Sequence, residues 1–182
     1  MEIHRLIAGL GRELNAIQIP TKIGKSKLSL STRAISDMIE KYCIDILMSR
    51  YGPNMVRLSE KGKPYDVVIE GESPLYINIK TELKGQLAYD AIWICSESVL
   101  RRMSKMLKEI LYYLRLEYAK NDVITINKVS YAGPLSALGS QLIIYDKPNR
   151  KMARNGKRVN YRIATHYNGK HVHLLTSSFI YI

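Results

Sequence analysis

Cysteine and long apolar runs are both scarce in this 182-residue sequence. The two cysteines, Cys43 and Cys95, lie far apart and outside any C-x-x-C spacing, so neither a disulfide framework nor a cysteine zinc site is expected. The longest apolar runs, such as residues 91–95, are far shorter than the roughly 20 residues of a membrane span, and no apolar segment near residue 1 resembles a secretory signal. We therefore expect one soluble, cytoplasmic domain over residues 1–182, with no membrane partner.

Acidic residues are the second scarce class. The chain has 28 Lys and Arg against 16 Asp and Glu, a net charge of +12, which predicts a polyanionic partner and favours nucleic acid. The excess is uneven: residues 63–100 carry three basic and six acidic side chains, whereas residues 123–182 carry nine and one. Carboxylates weaken binding to phosphate, so an acidic segment within a basic protein favours a divalent metal site.

Apolar periodicity predicts the first half of the fold. Helices are expected over residues 2–15 and from Ser31 or Thr32 to residue 51, with a basic loop at 22–30 between them. Three strands are expected at 55–59, 65–70 and 75–81, because turn-like residues separate these apolar pieces.

The second half combines a helix with further strands. Residues 87–95 fit either a helix or a strand, and a long amphipathic helix is expected from Ser96 or Ser98 to Ala119. A buried strand at 123–129 should run parallel to its partner because a long helix precedes it. Another strand is expected at 141–145, and a hairpin should pair 159–167 with 171–177 across Asn168-Gly169. The order predicts an α/β fold, a central mixed β-sheet flanked by helices, with a β-rich C-terminal extension.

The acidic segment contains the residues best suited to chemistry. Side chains alternate along a strand, so Asn78 and Lys80 share one face while Ile79 points into the core, and a hairpin would bring Asp66 close to both. A carboxylate, an amide oxygen and an ammonium would then meet at one end of the sheet. Oxygen-ligated Mg²⁺ and a nearby cation are what phosphodiester hydrolysis needs. Asp66 and the carbonyl of Ile79 are the expected metal ligands, and Lys80 would hold the attacking water.

Asp66, a gap of eleven residues and then Asn78-Ile79-Lys80 resemble the PD-(D/E)xK nuclease motif. The predicted order of helix, three strands, helix and strand over about residues 31–129 resembles the core of that superfamily. The small size and basic surroundings make a type II restriction endonuclease the most similar kind. The resemblance implies a homodimer that uses Mg²⁺, with Mn²⁺ as a substitute, to cut double-stranded DNA at a short site.

The sequence departs from this motif at two positions. Tyr65 lies between Pro64 and Asp66, and Asn78 stands where the family usually has an acid. The Asn78 amide still offers a metal an oxygen but no charge, so another carboxylate is expected to contribute. Glu40 on the preceding helix is the first candidate and Glu70 is the second.

A rival register is also open. The residue types of Glu82-Leu83-Lys84 match the E-x-K pattern better than those of Asn78-Ile79-Lys80 do. We prefer Asn78 and Lys80 because Ile77 and Ile79 anchor that stretch in a core, whereas Gly85 directly follows Lys84. Residues 81–86 are then expected to form a loop near the DNA backbone.

The basic tail, residues 140–182, is expected to read DNA. Between residues 147 and 158 six cations occur with no acid, and they would repel one another without a polyanion. The DNA-binding candidates are Lys147, Asn149, Arg150, Lys151, Arg154, Asn155, Lys157 and Arg158, together with Lys25, Lys27 and Lys84. His166 and His171 should face each other across the predicted hairpin, but a histidine metal site is disfavoured because no carboxylate is close in sequence. Two alternatives stay open, a non-catalytic nucleic-acid-binding protein and a junction-resolving nuclease of the same fold.

Overall fold

The computed structural model describes residues 3–23, 26–27, 30–84, 90–96, 102–137, 142–145, 160–166 and 172–174. The chain divides into two compact units. The first unit comprises Met1–Gln86 and Tyr112–Tyr131, and the second comprises Leu87–Leu111 and Ala132–Ile182. Within the described residues, no helix is both long and apolar enough to cross a membrane.

The described helices and strands follow one another in this order: α1 (Ile3–Asn15), β1 (Gln18–Pro20), β2 (Lys22–Ile23), β3 (Ser26–Lys27), α2 (Thr32–Tyr51), β4 (Val56–Leu58), β5 (Val67–Ile69), β6 (Leu75–Leu83), β7 (Asp90–Ser96), α3 (Lys105–Ile110), β8 (Leu111–Lys120), β9 (Val123–Ala132), a 3-10 turn (Leu135–Ala137), β10 (Leu142–Tyr145), β11 (Asn160–His166) and β12 (Val172–Leu174). The predicted first two helices and the first three strands are therefore present.

Helix α2 begins and ends as its sequence predicts. The Ser31 hydroxyl accepts a hydrogen bond from the backbone N–H of Ala34 at 3.1 Å, and Gly52 ends the helix with a φ of 86°. Between these caps, a stripe of one residue per turn is buried, and it consists of Ile35, Ile39, Cys43 and Leu47. This stripe joins α1 and the inner side of the sheet in one apolar core.

The first unit is built on a six-stranded mixed sheet in the order β1-β9-β8-β6-β5-β4. Strands β4, β5 and β6 form an antiparallel meander, in which Val67 lies opposite Ile77. The C-terminal parts of β6 and β8 lie side by side, since the N–H of Lys84 donates to the carbonyl of Tyr118 at 2.8 Å. These two strands therefore run parallel, with β6 at the centre of the sheet.

The long helix predicted to end at Ala119 is wrong over the described residues. Helix α3 ends at Ile110, and residues 111–120 form β8 instead. Strand β8 lies between β6 and β9, and its consecutive residues 113–116 are all buried, so both of its faces are covered. A strand buried on both faces lacks the alternation that distinguishes a strand from a helix. The predicted parallel strand at 123–129 is also wrong in direction: β9 follows β8 after two residues and lies beside it, so the two strands are antiparallel.

The second unit contains a four-stranded sheet in the order β12-β10-β11-β7. Residue 144 of β10 lies opposite Tyr161 of β11 on one side and opposite His173 of β12 on the other. The predicted hairpin of β11 with β12 is therefore wrong, because β10 separates these strands. His166 lies opposite Asp90 in the register, and His171 is outside the described residues.

Strand β6 also extends further than predicted. It continues to Leu83, so residues 81–83 belong to the sheet and not to a loop. The ambiguous segment at 87–95 contains strand β7, which starts at Asp90.

Candidate functional site

The turn at residues 64–66 holds Asp66 against the centre of β6. The N–H of Asp66 donates to the carbonyl of Ile77 at 2.8 Å, and the N–H of Ile79 donates to Asp66 Oδ2 at 2.6 Å. The ring of Tyr65 packs edge-on against that of Tyr76, with 4.8 Å between the ring centroids. The Asp66 carboxylate is therefore fixed by its own side chain, by its backbone and by the residue before it.

Asn78 lies beside this turn and is 6 % exposed. Its Nδ2 donates to the carbonyl oxygen of Pro64 at 3.0 Å, and this contact fixes the orientation of the amide because a carbonyl oxygen accepts only a donor. Among the described residues, no donor reaches the buried Oδ1 of Asn78. A buried acceptor without a donor is uncommon in proteins, and a cation satisfies it as well as a hydrogen bond does.

Glu40 on α2 belongs to the same electrostatic environment. Burial raises its pKa most, the charge of Asp66 raises it further, Lys80 lowers it and Asp37 raises it. The pKa of Asp66 is also raised by burial, while the N–H of Ile79 and the charge of Lys80 lower it. Asp66 and Lys80 therefore lie near enough to Glu40 to change its pKa, and Lys80 lies near enough to Asp66 to do the same there.

A contact that the sequence did not predict fixes α2 relative to β6. The Thr81 hydroxyl donates to the hydroxyl of Ser36 at 2.6 Å. Ser36 lies one helical turn before Glu40, and Thr81 is the residue after Lys80, so this hydrogen bond sets the register between the two candidates. Both hydroxyls are half-buried, and the sequence carries no signal that pairs them.

The alternative carboxylates have other partners. Glu70 forms an ion pair with Arg57 across β4 and β5 at 2.8 Å. Glu82 pairs with Arg115 at 2.8 Å, and the two side chains are 11 % and 5 % exposed. Lys84, the other residue of the rival register, is exposed at the end of β6. Arg115 was missed in the sequence because residues 111–120 were predicted to be helical.

The oxygen atoms near Asp66 fit a hard divalent cation. The carboxylates of Asp66 and Glu40, the Oδ1 of Asn78 and the carbonyl of Ile79 are all ligands of the type that Mg²⁺ prefers. Over the described part of the chain, no group of three or more His, Cys, Asp or Glu is arranged to hold a metal. A site built from the described residues would therefore use fewer than three such side chains together with other oxygen ligands, and Asn78 Oδ1 is a buried acceptor to which no described donor bonds.

Most of the DNA-binding candidates lie outside the described residues. These are Lys25 and the basic run Lys147, Asn149, Arg150, Lys151, Arg154, Asn155, Lys157 and Arg158. Lys27 lies in β3, in register with Lys22.

Comparison with known proteins gives a result at the level of the fold. No protein-family model matches the sequence, and no curated protein sequence matches it. Among solved structures, the NlaIV restriction endonuclease superposes with a TM-score of 0.58 at 12 % sequence identity, over 93 % of this chain and 72 % of that chain. The chain thus has a restriction-endonuclease-like fold, which confirms the predicted α/β architecture and the fold implied by the resemblance.

Proposed function

We propose that this protein is a Mg²⁺-dependent endonuclease that hydrolyses double-stranded DNA at a short specific site, as type II restriction endonucleases do. The observation that carries the proposal is the grouping of Asp66, Asn78, Glu40 and Lys80 around one end of the antiparallel β5–β6 pair. The restriction-endonuclease-like fold supports it, because the structural neighbour with this fold is a restriction endonuclease.

In this proposal the four side chains have separate roles. Asp66, Asn78 and the carbonyl of Ile79 would hold the metal ion, and Glu40 would add a second carboxylate oxygen. Bound Mg²⁺ supplies positive charge at the phosphate and acidifies its bound water. Lys80 orients the attacking water and contacts the scissile phosphate, and its ammonium also offsets the charge of the two carboxylates. Mn²⁺ would take the place of Mg²⁺ with the same oxygen ligands.

Substrate binding is assigned to the basic parts of the chain. Residues 123–182 carry nine basic side chains and one acidic side chain, which suits a segment that grips and reads DNA. The proposal treats residues 1–182 as one nuclease domain, with its catalytic core at about 31–129 and its DNA-reading tail at about 140–182. A homodimer would place one active site on each strand. The cytoplasm, where such an enzyme meets DNA, is the proposed location.

Digestion of a plasmid of known sequence tests the proposal. Purified protein is incubated with the plasmid in Mg²⁺, in Mn²⁺ and in EDTA, and the products are separated on a gel. Discrete fragments that require the metal support a site-specific endonuclease. Intact DNA in all three conditions would rule out the proposed nuclease activity. Salt-sensitive DNA binding that does not depend on the metal would then favour a non-catalytic nucleic-acid-binding protein. Preferential cutting of a four-way junction would favour a junction-resolving nuclease.

A further inference from the structure

The turn at residues 64–66 is attached to β6 at four consecutive positions of that strand. Tyr76 contributes its ring, Ile77 its carbonyl, Asn78 its side-chain amide and Ile79 its N–H. The contacts of Ile77 and Ile79 use the backbone of β6 and would survive substitution of those residues. The contact of Asn78 depends on its own side-chain donor, so it is the polar attachment that a single substitution in β6 can remove.

The Asn78 side chain has two functions that a carboxylate cannot combine. Its Nδ2 donates to the carbonyl oxygen of Pro64, and its Oδ1 keeps both lone pairs within the site. An ionised aspartate has the same shape but only accepts hydrogen bonds. At position 78 it would place an oxygen about 3 Å from the Pro64 oxygen, which would lose its donor, and the like partial charges of the two oxygens would repel one another.

We propose that Asn78 is a positioning residue: its amide donor fixes the 64–66 turn, and with it the Asp66 carboxylate, while its Oδ1 stays available to the metal. An aspartate at this position therefore does not replace it, although aspartate is the better metal ligand by charge. The part of the inference that concerns the metal rests on the proposed function, whereas the part that concerns the turn does not.

The matched test compares Asn78→Asp with Asn127→Asp. Asn127 lies on the exposed part of β9 in the same unit, and its Oδ1 accepts a hydrogen bond from the Thr125 hydroxyl at 3.2 Å, so an aspartate there keeps the contact. Both variants add one negative charge to the protein. Without metal, Asn78→Asp should lower Tm by about 5 °C, as the loss of one buried hydrogen bond predicts for a chain of this length, and Asn127→Asp should leave it unchanged.

Amide hydrogen exchange locates the effect. In Asn78→Asp the N–H groups of Asp66 and Ile79 should exchange about tenfold faster, since their hydrogen bonds attach the released turn to β6. The N–H of Glu70, which donates to Met55 at the other end of β5, should keep its parent rate. If Asn78→Asp fails to fold, Asn78→Ser provides the same readout, because its hydroxyl is too short to reach Pro64 and adds no charge.

Binding of Mn²⁺, followed by calorimetry, completes the test. Asn78→Asp should bind Mn²⁺ no more tightly than the parent, because the gain in charge is offset by the displaced Asp66. Parent-like Tm and exchange rates together with tighter Mn²⁺ binding would overturn the inference, since Asn78 would then be only a weak ligand. If the parent cuts no DNA while the turn is released as described, the proposed function fails and the positioning role of Asn78 stands.

Discussion

The ion pair between Glu82 and Arg115 distinguishes the two possible registers of the motif. If Asn78 and Lys80 form the site, Glu82 has only a structural role as the partner of Arg115, whereas in the rival register Glu82 is a metal ligand. The Glu82 Oε2 lies 2.8 Å from the Arg115 Nε, and the side chains are 11 % and 5 % exposed. In Glu82→Leu a leucine of similar size replaces the carboxylate and leaves the guanidinium without this partner. Glu117 lies 4.0 Å from the Arg115 Nη2, which is too far for a hydrogen bond to compensate.

The size of the loss follows from this burial. Removing one partner of a buried ion pair costs about 3 to 5 kcal/mol, and we take the lower end because Arg115 keeps other interactions, among them the attraction of Glu117. About 3 kcal/mol corresponds to a fall in Tm of about 6 to 12 °C for a chain of this length. The double variant with Arg115→Met should recover most of the loss, because apolar side chains of similar volume replace buried ion pairs at little cost.

Thermal and urea unfolding in EDTA test this prediction, because they measure Tm and the free energy of unfolding without bound metal. Glu60→Gln is the control, because Glu60 is 86 % exposed and its ion pair with Lys63 spans 3.8 Å, so its loss should change the free energy of unfolding by less than about 0.5 kcal/mol. If Glu82→Leu unfolds like the parent and instead loses Mn²⁺ binding, then Glu82 is a metal ligand. That result would refute our reasoning and favour the register of Glu82 and Lys84.

Three further predictions concern the candidate site. Burial raises the pKa of Asp66 above its value in the unfolded chain, so its contribution to stability is present at low pH and is lost as the pH rises from about 4 through the raised pKa. In metal-free Asp66→Asn the free energy of unfolding in urea should therefore decline less steeply with rising pH than in the parent. An equally steep decline would contradict a buried Asp66. The charge of Asp66 also raises the pKa of Glu40, so in Asp66→Asn the Glu40 carboxyl should titrate at lower pH than in the parent. NMR follows this titration. An unchanged titration would show that the two carboxylates are not neighbours. Thr81→Val removes the hydrogen bond between β6 and α2, so it should lower the free energy of unfolding by about 1 kcal/mol and reduce DNA cleavage. Thr81→Ser keeps the hydroxyl and should unfold and cleave like the parent. Equal losses in the two variants would rule out the hydroxyl as the cause.

The part of the site that sequence reasoning predicted is local. Asp66 directly precedes β5, and Asn78 and Lys80 lie on β6, which a short turn joins to β5. Alternation and turn composition are therefore sufficient to place the three residues at one end of a hairpin. Glu40 and Glu70 could not be separated in this way. The packing of α2 against β6 decides which carboxylate approaches Asp66, and the ion pair with Arg57 that occupies Glu70 depends on the register of β4 and β5.

The errors in the fold have a common physical cause. Strand β8 lies inside the sheet, and burial on both faces removed the alternation that would have marked it as a strand. The hairpin predicted around Asn168-Gly169 relied on a local turn signal, whereas β11 and β12 each pair with β10, which precedes both of them in the chain. In both cases the structure depends on pairing between segments that are distant in the chain, and such pairing is difficult to predict from a single sequence.

Cleavage of one plasmid by the parent and by Asp66→Asn, side by side in Mg²⁺, tests the central claim most directly. Asparagine can still accept the N–H of Ile79 through its own Oδ1, so the variant should fold like the parent, as Tm in the same buffer verifies. We predict that the parent yields discrete fragments and that the variant leaves the plasmid intact. Equal cutting by the two folded proteins would contradict the assignment of Asp66 to the catalytic site.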